Sequence, residues 1–180
     1  MEFDVRLCHD WRVEATITII QLRADDPDVL EAMTLKRRRE KTSGWEVFPV
    51  RSGRAIDTFL MAATDTDLAV FGSAIKLADA DGTSVETNMI FYGDLERVIP
   101  TLEELVEKNP DKTARALVAY GGNRADLARV LAALASDEWP EGGDPAEETA
   151  AFAHHVLKRA RAAIGVGHGV CWEFRGTIVL

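Results

Sequence analysis

Residues 144–165 read DPAEETAAFAHHVLKRARAAIG, and this stretch predicts one long helix from end to end. Asp144 is a good N-cap, and Pro145 suits the first helical position, where its missing N–H is not needed. Gly165 is the expected stop. Acidic residues near the start and basic residues near the end complement the helix dipole. The apolar positions recur at helical spacing and predict the buried face: Phe152, Val156, Leu157, Ala160 and Ile164.

Both ends of the chain instead alternate apolar and polar residues. Residues 170–180, 11–19 and 3–7 each place apolar side chains at every second position. That period is typical of a strand with one buried face. Gly176 is a candidate for a β-bulge in the last strand. The sequence therefore predicts strands near both termini.

The first half of the chain carries further strand signals. Residues 45–50 form a short apolar segment, and Pro49 predicts a position at the sheet edge, because proline cannot donate to a central ladder. Segments 74–78 and 84–92 flank a turn and predict a hairpin. Two more elements are predicted here: a helix from Asp25 that ends at residues 42–44, and a strand-like segment at 56–63.

Helical signals dominate the second half. Asp94 opens a helical segment in which Pro100 either breaks the hydrogen-bond ladder, because proline removes a backbone donor, or begins a new first turn. Thr101 and Glu104 fit a capping box for the continuing helix, and Asn109 and Pro110 end it. Two segments follow: a short apolar run at 116–120, and a helix with Leu127, Val130, Leu131 and Leu134 on its buried face.

This order of elements predicts the fold class. Strands lie in the first half, helices in the second, and one strand closes the chain. We therefore expect an α+β fold, with a mostly antiparallel sheet built from the N-terminal half plus a C-terminal strand, and helices packed on one face. The length of 180 residues is normal for a single domain spanning 1–180.

Composition narrows the classes of function. The net charge of −9 argues against a general affinity for the nucleic-acid backbone. The two cysteines are too few for a secreted disulfide scaffold, and the N-terminus lacks a signal pattern. No apolar run approaches the roughly 18–20 residues needed to cross a bilayer. We expect a cytoplasmic protein that does not associate with membranes.

One basic patch stands out against this acidic background. Residues 36–54 hold seven basic and two acidic residues, a local charge of +5, so the remaining residues carry −14. The patch is a candidate for docking nucleic acid or an acidic protein face, and Trp45 and Phe48 could stack on bases. Its candidate binding residues are Lys36, Arg37, Arg38, Arg39, Lys41, Arg51 and Arg54.

The C-terminal region offers weak candidates for chemistry. His168 and Cys171, oriented by Glu173, could supply a base and a nucleophile. The apolar neighbours of Cys171 favour a packed thiol instead. His154 and His155 are adjacent on a helix, so their side chains diverge, and we expect a solvated pair. We predict no metal site and no cofactor.

A glycine-rich segment precedes the helix at 127–134. Gly121, Gly122, Asn123 and Arg124 have the order of a helix N-terminus that could hold an anion. Asn123 as a simple N-cap explains the same residues.

Three functions remain open. The favoured one is a protein-binding module, for example a small acidic inhibitor or antagonist of another macromolecule, because catalytic signatures are lacking and charge is segregated. In composition alone, the chain resembles bacterial immunity proteins and phage-encoded defence inhibitors. The alternatives are a small enzyme using His168, Cys171 and Glu173, and nucleic-acid binding through the basic patch. Partner identity and oligomeric state are not predicted.

Overall fold

The computed structural model describes residues 12–23, 42–50, 74–78, 84–90, 92–121 and 126–179. These residues form an α+β fold, as the sequence predicts. The strands are β1 (Arg12–Leu22), β2 (Thr42–Val50), β3 (Ala74–Ala78), β4 (Ser84–Ile90) and β5 (Gly169–Val179). The helices are α1 (Tyr92–Glu103), continued by a π-helical segment (Glu104–Lys108), then α2 (Pro110–Gly121), α3 (Leu127–Leu134) and α4 (Pro145–Ile164).

The five strands form one antiparallel sheet in the order β2-β1-β5-β4-β3. β1 and β5 pair along their whole length, from Arg12 opposite Val179 to Leu22 opposite Gly169. The first and last described strands therefore meet inside the sheet. β3 and β4 form the predicted hairpin, and β2 lies at an edge, as Pro49 predicts.

The helices of the described residues share a core with one face of this sheet. Ile17 and Ile19 of β1 and Trp172 of β5 belong to that core. Phe152 of α4 meets Trp172 edge to face, with ring centroids 5.5 Å apart. Burying such a side chain contributes about 2 kcal/mol, so this contact helps to hold α4 against the sheet.

The prediction that β1 buries a single face is wrong. Ile20 and Leu22 point away from the helices, yet they are as deeply buried as Ile19. Cys171, opposite Ile20 in the sheet, is buried with them. Alternation of side chains across a strand assigns residues to two faces, but burial depends on what covers each face.

Helix α4 has the predicted bounds. Asp144 is its N-cap, and one carboxylate oxygen accepts from the backbone N–H groups of Ala146 (2.9 Å) and Glu147 (3.1 Å). The helix ends at Ile164, and the left-handed backbone that glycine favours occurs two residues beyond Gly165, at Gly167 (φ 72°). Helix capping, the helix dipole and the apolar periodicity all favour this helix. Its bounds could therefore be predicted from the sequence.

Other predicted boundaries are wrong. Pro100 does not break α1, because it lies on the exposed face between buried Val98 and Leu102. Thr101 forms no capping box; its hydroxyl donates to the carbonyl oxygen of Arg97 within the helix. The helical stretch nevertheless ends at Lys108 with Asn109 as its C-cap, as the sequence predicts, and Pro110 then begins α2, since proline suits a first turn.

The structure also settles the bounds of several other segments and the pairing of Gly176. β2 begins at Thr42, so Gly44 lies in a strand, where a Cβ would come within 3.0 Å of Arg159 Nη1. The run at 116–120 is helical, as part of α2. β4 ends at Ile90, and Gly176 pairs opposite Ala15 with no shift of register between β1 and β5, so no bulge forms in that pairing.

Several predicted elements lie outside the described residues. They are the strand at 3–7, the helix from Asp25 and the segment at 56–63. Within the described part of the chain, none of the helices has the length and apolar character required to cross a membrane.

The N-cap of α4 provides a test of this fold. Substituting Asp144→Ala leaves two backbone donors without their carboxylate acceptor, and we expect the free energy of unfolding to fall by about 1 kcal/mol. Urea denaturation followed by circular dichroism measures the change. Asp111→Ala, at an exposed first-turn carboxylate of α2, is the matched control and should cost less than about 0.5 kcal/mol. Equal losses in both variants would contradict the capping role.

Candidate functional site at the edge strand

The predicted basic patch falls almost wholly outside the described residues. Lys36, Arg37, Arg38, Arg39, Lys41, Arg51 and Arg54 all lie there, so their binding role stays a prediction. Trp45 and Phe48, the aromatic residues considered with the patch, are described. They lie on opposite faces of β2, because their positions differ by an odd number. A single stacking platform made from both is therefore not formed.

The predicted base, His168, and the predicted nucleophile, Cys171, have different surroundings. Gln21 Nε2 and His168 Nδ1 are 3.0 Å apart, a side-chain hydrogen bond at the end of β1. Cys171 is fully buried on the sheet face opposite the helices. Glu173 has a described backbone opposite Thr18, but its side chain lies outside the described part. Catalysis by these residues stays a prediction, and burial of Cys171 supports the packed thiol.

The predicted anion site is also only partly described. Gly121 is the last residue of α2, and Gly122, Asn123 and Arg124 lie outside the described residues. The N-cap of α3 is Asp126 rather than Asn123, and its carboxylate accepts from the N–H of Ala128 at 2.9 Å. A carboxylate at that helix terminus competes with any bound anion.

The sequence missed a buried polar cluster between α4 and β2. The expectation of a solvated histidine pair is wrong, because His155 is only 2% exposed. Its ring lies 4.3 Å, between centroids, from Phe48 of β2 and 6.2 Å from Trp139 of the loop before α4. We call this group the His155 cluster: Glu46, Phe48, Trp139, His155 and Arg159.

Ordinary local geometry brings the cluster together. Glu46 and Phe48 share the helix-facing side of β2, two residues apart. On α4, His155 and Arg159 are four residues apart, so they lie on one side of the helix. Phe48 and Trp139 stack at 4.7 Å, which places the loop along β2. Period-two alternation in β2 could have indicated an inward Glu46, but both faces of that strand carry apolar residues.

Within the cluster, charge is partly compensated. Glu46 Oε2 lies 3.1 Å from Arg159 Nη2 and 3.8 Å from His155 Nδ1. Neither ring nitrogen of His155 has a hydrogen-bond partner among the described residues. Burial lowers the pKa of His155, and the nearby carboxylate of Glu46 only partly opposes this. His155 is therefore neutral near pH 7.

His154, its neighbour, has the opposite surroundings. Its Nδ1 lies 3.1 Å from the carbonyl oxygen of Leu134, and its Nε2 lies 2.9 Å from Asp137 Oδ1. Lys158 also contacts Asp137, at 3.0 Å. Hydrogen bonds from these two side chains lower the pKa of Asp137 to about 2. His154 thus binds the loop before α4, whereas the ring of His155 packs against Phe48 and Trp139.

The cluster fits neither a metal nor a substrate. Its carboxylate already pairs with Arg159, and no group of three or more metal-ligating side chains occurs within the described ranges. Phe48 and Trp139 cover the imidazole of His155, so a reacting molecule has no route to it. The arrangement is suited to hold β2 and the loop against α4.

Two carboxylates in the first turn of α4 are buried although acidic side chains are usually exposed. They are Glu147 and Glu148. Burial is the main cause that raises the pKa of Glu147, and Asp144 adds to it. Arg129 of α3, 3.8 Å away, partly offsets this effect. The first turn of α4 packs against α3, which periodicity alone does not reveal.

Next to the cluster, β2 presents an apolar surface. Trp45 is 52% exposed and Val47 56% exposed, and Pro49 follows on the same side. We call these three residues the β2 outer face. The loop from 136 to 144, which reaches β2 through Trp139, carries four carboxylates and no basic residue: Asp137, Glu138, Glu141 and Asp144. We call it the acidic loop.

Comparison of the chain with known proteins matches no family model, no curated protein and no solved structure.

The lowered pKa of His155 has a consequence for stability. Below a pH of about 6.5 the unfolded chain binds a proton that the folded His155 resists, so this residue makes stability fall as the pH decreases further. We expect His155→Phe, which cannot be protonated, to lose less stability than the wild type between about pH 7 and pH 5. Urea denaturation at each pH measures this, and parallel pH profiles would refute it.

Burial of Cys171 gives a second test. We expect iodoacetamide to label Cys171 in the folded protein at least about 100-fold more slowly than in urea, because the thiol has no access to solvent. Mass spectrometry of the peptide containing residue 171 separates it from Cys8. Rapid labelling near neutral pH would contradict the packed thiol and support the hypothesis of an enzyme that uses Cys171.

Proposed function

We propose that this chain is a protein-binding module whose partner is a basic protein surface that docks on the β2 outer face. The observation that carries the proposal is the side-by-side exposure of Trp45 and Val47 on an edge strand. Large apolar side chains grouped on a surface mark interaction sites more often than single ones do. Aromatic residues such as tryptophan are enriched at the centres of interfaces.

The edge strand itself supports this proposal. An edge strand presents backbone groups that can pair with another chain, and natural proteins limit this with proline and inward-pointing charge. β2 carries both, as Pro49 and as Glu46, which faces the helices. These features limit indiscriminate pairing, and Trp45 and Val47 are exposed at the surface.

Charge selects the kind of partner. The acidic loop lies beside β2, and the whole chain carries a net charge of −9. β2 itself belongs to the basic segment 36–54, so the attraction for a basic surface comes from the acidic loop and from the charge of −14 on the rest of the chain. A module of this kind could act as an inhibitor by covering a surface that otherwise binds nucleic acid.

Photo-crosslinking tests this proposal. With p-benzoylphenylalanine in place of Trp45, irradiation in an extract of the source cells should give a defined adduct with a basic protein. The substitution Val47→Ser should reduce the adduct about tenfold, because it removes apolar contact at the centre of the surface. Val166→Ser is the matched control, since Val166 is 59% exposed elsewhere and should leave the yield unchanged.

A second pair of variants tests the charge argument. Glu138→Gln in the acidic loop should lower the adduct yield at low salt, while Glu96→Gln on α1 should not. The yield should also fall with added salt. An adduct that Val47→Ser and Val166→Ser affect equally would refute the proposal. So would capture of nucleic acid, of a second copy or of an acidic protein.

A further inference from the structure

The His155 cluster and the β2 outer face use alternate residues of the same strand. Glu46 and Phe48 point toward α4, while Trp45 and Val47 point outward. Any change in how β2 sits on α4 therefore changes the surface that Trp45 and Val47 present. His155 is the side chain of α4 whose ring contacts Phe48 and lies next to Glu46.

We infer that His155 is a proton-sensitive contact that holds β2 against α4 when neutral and releases β2 when protonated. The inference deepens the proposed function, and it depends on that function only for what the release controls.

A proton on His155 would enter a poorly compensated place. Phe48 and Trp139 cover the ring, and neither nitrogen has a hydrogen-bond partner among the described residues. The protonated ring of His155 must then lose its hydration without gaining hydrogen-bond acceptors for its two N–H groups. Burial also lowers the pKa of His155, in agreement with this geometry.

Nearby charges do not remove that cost. Glu46 of β2 is the closest anion among the described residues, but its Oε2 lies 3.8 Å from His155 Nδ1 without a hydrogen bond and nearer, at 3.1 Å, to Arg159 Nη2. A second cation there competes with Arg159 for one carboxylate. Among the described residues, the remaining ionisable groups around the ring are Asp137 of the acidic loop and His154 and Lys158 of α4, and Asp137 is itself engaged by both of those residues.

Movement of β2 relieves this cost most readily. β2 is an edge strand whose described pairing is with β1 alone, whereas α4 is held on the sheet by Phe152 and by burial along its length. Local opening occurs first where few buried contacts are broken. Displacing β2 admits water to the imidazole and at the same time moves the strand that carries Trp45 and Val47.

Amide hydrogen exchange of the full chain tests the inference between pH 7.5 and pH 5.5. After correction for intrinsic exchange, protection of the β2 amides should fall about fivefold or more in the wild type, while β5 amides keep their protection. His155→Phe should make β2 protection independent of pH. His154→Gln is the matched control at the adjacent position, and it should retain the wild-type loss.

Two further measurements keep the outcomes separate. NMR titration of the wild-type His155 ring should give a midpoint that coincides with the loss of β2 protection, which avoids reliance on any variant. The adduct at position 45 should also fall at pH 5.5 in the wild type but not in His155→Phe. Protection of β2 that is constant with pH, or a midpoint that does not coincide, overturns the inference. Loss of protection without an adduct at either pH overturns the proposed function and leaves the proton-sensitive contact supported.

Discussion

Pairing between β1 and β5 is the interaction on which the rest of the structure depends. The two strands pair over eleven residues from Arg12 to Leu22, with no break in register. Among the strands that the structure describes, β2 joins the sheet through β1 alone, and the hairpin of β3 and β4 joins it through β5 alone. α4 then packs on both central strands, with Phe152 against Trp172. The positions of the other described strands therefore depend on a contact between distant parts of the sequence.

The same pairing explains why the polar cluster forms where it does. α4 lies over the centre of the sheet, so its side chains at 155 and 159 reach β2 beyond β1. Gly44 allows the Arg159 guanidinium to come close to the β2 backbone, because a Cβ there would crowd it. The acidic loop is then positioned by Trp139 on Phe48 and by Asp137 on His154. A mixture of aromatic stacking and ion pairing therefore binds an edge strand and a loop to one helix.

This arrangement relates stability to recognition. On β2, inward residues contribute to the core and outward residues remain exposed, so one strand serves both purposes. Buried polar groups that lack partners usually reduce stability, and a fold that retains them has a reason to do so. In this chain the ring nitrogens of His155 lie on the helix-facing side of β2, opposite the surface proposed for binding. Control of that surface by a buried titratable group is a physical explanation for their presence.

Sequence alone determined the local elements whose signals agree with one another. Asp144, Pro145 and Gly165 give α4 its bounds, alternation gives β1 and β5, and Pro49 gives β2 its edge position. These features follow from backbone sterics, capping and periodicity, which act within a few residues. The fold class followed from their order along the chain.

Only the tertiary structure decided which side chains are buried and which meet. His155 and Glu148 look like surface residues in the sequence, and Ile20 looks no different from an exposed position of an alternating strand, yet all three are buried. Pro100 looks like a helix end, but α1 continues through it to Glu103. Burial depends on the element that covers a residue, and that element is more than a hundred positions away for Glu46 and His155. Local patterns carry no information about such a partner.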